Sequence, residues 1–468
     1  MTLSTVLLWS LARTVVVATL TVVLSQRVLH SINECRGRSR QLWLAGALVP
    51  LLIPELLVGF TYRLASQQLT DSVWSTELLY VGVLLFRSLS VCIFLRLLLP
   101  ASAVSRESIH AWKLLKRTDT ASKRQYRRLL LTGPLRVTAT AWCLTALISF
   151  QDFETAALIQ VERHPVVWTV WLFDAHAGNQ LLGQTLQLIV VPICIELLLL
   201  SPVLWLIAQH TDQSSAPTNE TAKASSTGSW WRLVTLPAAA VIAGWPIVVS
   251  LPEMMGGLRV LFADVGGMAT QQFTTFGFSV SAALISLGIV VVLRRWNHRL
   301  LTFVALLPGL SGSLVLSLLL LRLFQFPGLN LMWDTWLPLL LGQSLLLLPR
   351  AWVLLLVLEA LTEANKIHSA RLLNTGSHEQ RKLGSRLLWR LLHLRWLVAL
   401  ALLCQWCTWD VTTASILRPV TVEPVVTRLY QEMHFSRTES LTALAAVTMA
   451  VPWVLAGTVL MLRKVYTR

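Results

Sequence analysis

Charge is scarce in this chain. Of its 468 residues only 13% are charged and 55% are hydrophobic, whereas a soluble domain carries about 25% charged residues. That excludes a soluble catalytic domain. Sequence motifs for common chemistries are missing too. There is no G-x-x-x-x-G-K-[ST] loop to cradle nucleotide phosphates with backbone amides, so any ATP hydrolysis belongs to another chain. There is no H-E-x-x-H pair for zinc and no G-x-S-x-G elbow for a nucleophilic serine. The expected reading is a non-enzyme with no cofactor and no metal. Cysteine is sparse as well. The six (Cys35, Cys92, Cys143, Cys194, Cys404, Cys407) lie mostly in or near apolar runs and suggest neither a disulfide framework nor a zinc site. Cys404 and Cys407 form a C-x-x-C inside an apolar stretch, where packing is the expected role.

What the chain does have is a series of apolar runs about 20 residues long, the length a helix needs to cross a bilayer. Only helices and closed barrels span lipid, and continuous Leu/Val/Ile/Ala runs lack the alternation of a barrel. The expected fold is an all-α integral membrane protein of about eleven helices. They are placed near 4–26, 42–62, 77–99, 133–151, 184–208, 231–251, 275–293, 301–323, 335–360, 391–410 and 440–462. The first run is too long, and lacks the small-residue cleavage site, for a removable signal peptide.

The net charge is +16. In a soluble protein that would point to nucleic acid. Here it marks loops on one side of a membrane, and no nucleic-acid partner is expected. Segments 27–41, 100–132, 209–230, 294–300, 361–390 and 463–468 hold about 25 Lys and Arg, against about 6 in the alternate loops. The positive-inside rule puts the former in the cytoplasm, the N-terminus outside and the C-terminus inside. Residues 210–230 form the one linker of soluble composition, rich in Ser, Thr and Ala. Within it, Asn219-Glu220-Thr221 is a chance match to a glycosylation acceptor. The linker divides a first transmembrane half, 1–209, from a second, 231–468.

The halves are related in sequence. IHAWKLL at Ile109–Leu115 returns as IHSARLL at Ile367–Leu373, and DFETAALI at Asp152 returns as DVTTASIL at Asp410, both at an offset of 258. Pro165-Val166-Val167 returns as Pro424-Val425-Val426, and Pro50 aligns with Pro308. Four matches in order at nearly one offset predict a five-helix unit present twice, with helix 231–251 linking the copies. An even number of crossings separates the copies, so they have the same orientation. Such a parallel repeat suits a transporter or channel.

Ionisable residues inside spans are costly and are candidates for function. Glu55 and Glu196 are read as lining a polar path, with Arg13 or Arg87 neutralising one of them; the competing reading is a structural ion pair. Asp152 and Asp410 recur at the outer end of the fourth core helix, either facing an entering cation or standing in water. The outer loops 153–183 and 411–438 hold His164, Asp174, His176, Glu423 and His434 without a metal-ligand spacing.

The long basic loops 101–132 and 361–390 each carry the IH-x-x-(K/R)-L-L core on a predicted amphipathic helix. Here the chain resembles the double-length permease subunits of binding-protein-dependent ABC importers of the ferric-iron type. That family's loop reads Glu-Ala-Ala, three residues, Gly, then Leu-Pro. The matching positions are His110, Ala111, Trp112 and Lys116, and again His368, Ser369, Ala370 and Asn374; the later Leu-Pro is absent from both copies. VEPVVTRLYQEMHF, with Glu423, Arg428, Leu429 and Tyr430, resembles a second stretch of that family. The resemblance implies import of a small solute, with ferric iron as the family's substrate, across a bacterial inner membrane. It implies an ATPase dimer docked on Ile109, His110, Ala111, Leu114 and Leu115 and on Ile367, His368, Ala370, Leu372 and Leu373. It also implies a solute-binding protein on the outer side. An ion-driven secondary transporter and a non-transporting scaffold derived from a permease are the alternatives.

Overall fold

The computed structural model describes every residue except 1, 36, 70–71, 99–111, 113–123, 127–128, 131–133, 160–165, 179, 210–228, 264, 297, 361–363, 390, 392–393, 436 and 467–468. The described residues are helical, with no strand among them. Seven helices are long and apolar enough to cross a membrane, or up to ten spans if each of three bent pairs counts as one. The protein is an all-α, multi-pass membrane protein. Large apolar side chains stand exposed along these helices, among them Leu198, Val248, Phe273 and Met461, where lipid rather than water is the compatible neighbour.

The chain divides into two compact units. Unit 1 comprises Met1–Ile53, Thr61–Asn179 and Gln187–Pro246; unit 2 comprises Pro54–Phe60, Gln180–Leu186 and Ile247–Arg468. In chain order the first elements are α1 (Leu3–Asn33), α2 (Gly37–Leu48) with a 3-10 turn Val49–Leu52, α3 (Glu55–Gln68) and α4 (Val73–Leu98). Next come α5 (Pro134–Phe150), α6 (Glu154–Ile159), α7 (Trp168–Ala177), α8 (Leu182–Gln209), α9 (Thr235–Ala239) and α10 (Trp245–Ala263). In unit 1, α1, α4 and α5 pack pairwise. Val28, Ile32, Ala47, Leu89, Ile93 and Ala238 form a core between α1, α2, α4 and α9. Small polar side chains join these helices: Ser25 Oγ lies 3.1 Å from Cys92 Sγ, and Ser88 Oγ lies 3.2 Å from Ser149 Oγ. Without a hydrophobic force between helices in lipid, such close polar contacts help hold a bundle together.

Unit 2 contains α11 (Val265–Trp296), α12 (Arg299–Leu310), α13 (Ser313–Phe324), α14 (Leu337–Ala360), α15 (Ala364–Asn374) and α16 (His378–Leu388). It ends with α17 (Leu394–Thr408), α18 (Val411–Leu417), α19 (Val425–His434) and α20 (Thr438–Tyr466). Here α11, α14 and α17 pack pairwise, as α1, α4 and α5 do in unit 1. Ser279 Oγ meets Thr408 Oγ1 at 3.0 Å, and Ser286 Oγ donates to the Ser344 carbonyl at 2.8 Å. Cys404 and Cys407 are buried within the apolar core of this trio, beside Ala283, Leu348 and Ala351.

Two stretches read from sequence as single helices, 42–62 and 301–323, are broken. The first bends by 78° between Gly37–Leu52 and Glu55–Gln68. Pro50 sits in the 3-10 turn, and Ile53 (φ −87°, ψ 125°) is held extended by the proline that follows it. The second bends by 101° between Leu300–Leu310 and Ser313–Phe324. Pro308 cannot donate into the helix, and Gly312 turns the chain at φ 80°, a left-handed conformation that glycine adopts without strain. A third break, of 59°, separates Trp396–Thr408 from Val411–Leu417 at Trp409-Asp410.

Candidate functional site

The intramembrane charges of unit 1 gather into one network. Arg13 on α1 forms a two-pronged ion pair with Glu77 on α4: Nε donates to Oε1 and Nη2 donates to Oε2 at 3.0 Å. Both residues are 6% exposed. The Arg13 guanidinium also lies over the Trp9 ring at 5.9 Å and the Tyr80 ring at 5.5 Å. One turn beyond Glu77, the Tyr80 hydroxyl donates to Asp152 Oδ2 at 2.9 Å, and Arg87 Nη1 donates to Asp152 Oδ1 at 3.3 Å. Asp152 Oδ2 also accepts from the Ala156 amide at 3.1 Å and so caps α6. Two arginines and two carboxylates cancel, which is how a low-dielectric interior tolerates them.

The sequence expectation pairs Arg13 or Arg87 with Glu55 or Glu196. In the structure they pair with Glu77 and Asp152 instead. Glu77 lies at the very edge of the span expected over 77–99 and carries no role in that expectation. Its spacing of three from Tyr80 and ten from Arg87, on one face of α4, is the signal that could have found it. Glu196 on α8 is buried and accepts from Gln151 Nε2 at 3.0 Å. Glu55 opens α3, directly after the break at Pro54. Of the outer-loop residues, His164 lies outside the described residues. Asp174 and His176 are on α7, His434 ends α19, and Glu423 Oε2 accepts from Gln271 Nε2 at 3.1 Å.

Asp152 and Asp410 stand at helix ends but are buried there, 3% and 6% exposed. Asp410 is the N-cap of α18 and accepts from the Thr413 amide at 3.4 Å. Arg350 on α14, a charge inside the 335–360 span with no role in the sequence expectation, lies near enough for its charge to act on Asp410, whereas Arg87 meets Asp152 directly at 3.3 Å. Its guanidinium lies over the Trp406 ring at 5.9 Å. A second detail recurs. The Trp168 amide at the start of α7 donates to Ser10 Oγ at 3.1 Å, and the Val425 amide at the start of α19 donates to Thr275 Oγ1 at 2.8 Å.

The loop after α14 forms a helical hairpin, α15 and α16. Ser377 and Gln380 make a capping box at the start of α16. The hairpin closes tightly: a Cβ on Gly384 would meet the Ala370 carbonyl at 2.8 Å and the Asn374 amide at 2.7 Å. Ala370 is therefore buried, while His368 is exposed and Leu372 is 58% exposed. Ile367 and Leu373 are half-buried. Residues 364–388 carry Lys366, Arg371, Arg381, Lys382 and Arg386 against the single acid Glu379. The hairpin thus presents an exposed leucine within a basic surface. The corresponding positions of the first copy, Ile109, His110, Ala111, Leu114 and Leu115, lie outside the described residues.

Among the described residues no three His, Cys, Asp or Glu side chains gather as metal ligands. No protein-family model matches the chain, and neither a curated protein nor a solved structure is significantly similar to it.

Proposed function

We propose that this chain is the permease subunit of a binding-protein-dependent ABC importer, forming the translocation path for a small solute, with ferric iron as the substrate class the sequence resemblance implies. The observation that carries the reading is the hairpin of α15 and α16, which holds Leu372 exposed amid basic side chains in a long loop after a span. A solvated tether needs neither a capped, close-packed hairpin nor an outward leucine. On this reading the hairpin, and the loop around His110, receive a separate ATPase dimer on the cytoplasmic side. A solute-binding protein docks on the outer side of the bacterial inner membrane.

The five-span repeat supports the reading. The packing of α1, α4 and α5 parallels that of α11, α14 and α17. The broken span after α1 is matched by the one after α11, and the break before α6 by the break before α18. Counting α5, a 17-residue apolar helix, with the up to ten candidate spans would give the eleven crossings this reading requires. On this reading eleven crossings make the copies parallel, and the Lys and Arg excess in alternate loops puts the N-terminus outside and the C-terminus in the cytoplasm.

The test is co-purification with a nucleotide-binding subunit encoded beside this gene. Capture that is lost in Leu372→Asp, with thermal stability unchanged, supports the reading; capture indifferent to that substitution rejects it. Buried Asp152 and Asp410 at helix breaks favour a second reading, a secondary transporter driven by an ion gradient. That reading predicts uptake by the protein alone in vesicles, without ATPase.

A further inference from the structure

In unit 1, Arg13 meets Glu77 and Arg87 meets Asp152. Two further arginines of that unit, Arg27 and Arg232, meet no acid. Arg27 is exposed within the last two turns of α1, and its guanidinium lies over the Trp231 ring at 5.0 Å. Arg232, the next residue, places its guanidinium over the Trp43 ring at 5.7 Å, and its Nη1 donates to Cys35 Sγ at 3.0 Å. Among the described residues neither arginine meets an oxygen acceptor. A thiol is a weak acceptor, and an indole face holds a charge in place without supplying an oxygen. Residues 27–43 and 229–239 hold five arginines and no lysine against one acid, Glu34. Glu34 itself faces His30 at 3.5 Å.

The same place exposes apolar side chains. Ser229–Val234 is a 3-10 turn packed against α1 and leading into α9, and residues three apart in such a turn eclipse. Trp230 and Leu233 therefore share one side, Leu236 follows, and all three are exposed. They open the candidate span Trp230–Arg259, and Arg27 stands near the end of the candidate span Leu3–Asn33. Cations without anions and an exposed apolar stripe thus meet at one end of two spans.

We propose that this end of unit 1 binds one anionic phospholipid, its headgroup held by Arg27 and Arg232 and its acyl chains lying along Trp230, Leu233 and Leu236. A guanidinium suits a lipid phosphate because its N–H fork matches two phosphate oxygens, and its weak hydration lets it rest on an aromatic ring while it does so. The indoles of Trp231 and Trp43 hold the two charges in position before the lipid arrives. A zwitterionic lipid brings an ammonium that two arginines repel, so the site selects a headgroup of net negative charge. Free phosphate makes no use of the apolar stripe. Such a site does not require that the chain couple to an ATPase.

The experiment is thermal unfolding of the purified full-length protein in a neutral detergent, titrated with phosphatidylglycerol, with phosphatidylcholine of the same chains, or with inorganic phosphate. Phosphatidylglycerol is expected to raise the midpoint saturably, and the other two are not. Arg27→Gln and Arg232→Gln are each expected to weaken the apparent affinity for phosphatidylglycerol by about fivefold or more, the worth of one arginine charge at a membrane surface. Arg295→Gln, which removes an exposed charge at the end of α11, is expected to leave it unchanged. Arg27 is exposed and makes no hydrogen bond among the described residues, so Arg27→Gln keeps the test decisive if Arg232→Gln does not fold. Equal midpoints with the two lipids, or the full shift produced by inorganic phosphate, overturn the proposal. So does an equal loss of affinity in Arg27→Gln and Arg295→Gln, which would mean diffuse attraction to a basic protein.

Discussion

Tyr80 and Asp152 are joined by a hydrogen bond of 2.9 Å between a buried hydroxyl and a buried carboxylate, at the point where α5 ends and α6 begins. The bond fixes the break to α4, and through the Tyr80 ring to Arg13 on α1. Asp152 is thereby an anchor of unit 1.

Removing that hydroxyl tests the anchor. Tyr80→Phe keeps the ring against Arg13 but takes one donor from Asp152 Oδ2, leaving the Ala156 amide. A loss of about 1–3 kcal/mol is expected for an acceptor left short in the interior. It would be read as a lower unfolding midpoint and as faster amide exchange in α6, with α17 and α18 unaffected.

The Arg13–Glu77 pair makes a sharper prediction. Arg13→Met strands Glu77 in the bundle and is expected to cost about 3–5 kcal/mol. Arg13→Met combined with Glu77→Leu removes both charges and is expected to recover most of that loss. A double-mutant cycle of unfolding midpoints checks it; additive losses would mean the two side chains do not act as a pair.

Gly309 makes a close approach of α12 to α14. A Cβ there would lie 2.2 Å from the Leu345 carbonyl and 2.6 Å from Pro349 Cδ. Backbone and a proline ring cannot rotate away, so Gly309→Ala must push the helices apart. A cost of about 1–3 kcal/mol is expected, the range for overpacking a core. A methyl placed on Gly288 would meet nothing within 4 Å, so Gly288→Ala is expected to be neutral in the same assay.

Single cysteines placed at His110 and at His368 test the orientation of the copies. Both are expected to react with a membrane-impermeant thiol reagent only from the cytoplasmic side, in a background free of the six native cysteines. Labelling from opposite sides would refute the parallel repeat.

Much of this is legible along the chain. The apolar runs, the paired IH-x-x-(K/R)-L-L cores and the recurrence of aspartate at Asp152 and Asp410 are linear patterns, and each has a direct physical reading. The breaks are only half legible. Pro50, Pro54 and Pro308 are visible, but a proline in a span permits a kink without setting its size, and the 101° turn depends also on Gly312 adopting a positive φ. Charge pairing is not legible. Hydropathy offers Glu55 or Glu196 to Arg13 because it ranks residues by depth and says nothing of azimuth.

Composition and period were enough to mark this as a multi-pass membrane protein, to raise the expectation of two related sets of helices, and to say where its charges sit along each helix. The cost of exposing backbone to lipid turns those linear properties into structure. It took the folded chain to reveal that Arg13 meets Glu77, that Tyr80 donates to Asp152, and that Arg87 reaches the same carboxylate. Such contacts depend on how neighbouring helices are rotated about their axes, and that rotation is set by packing across many residues at once.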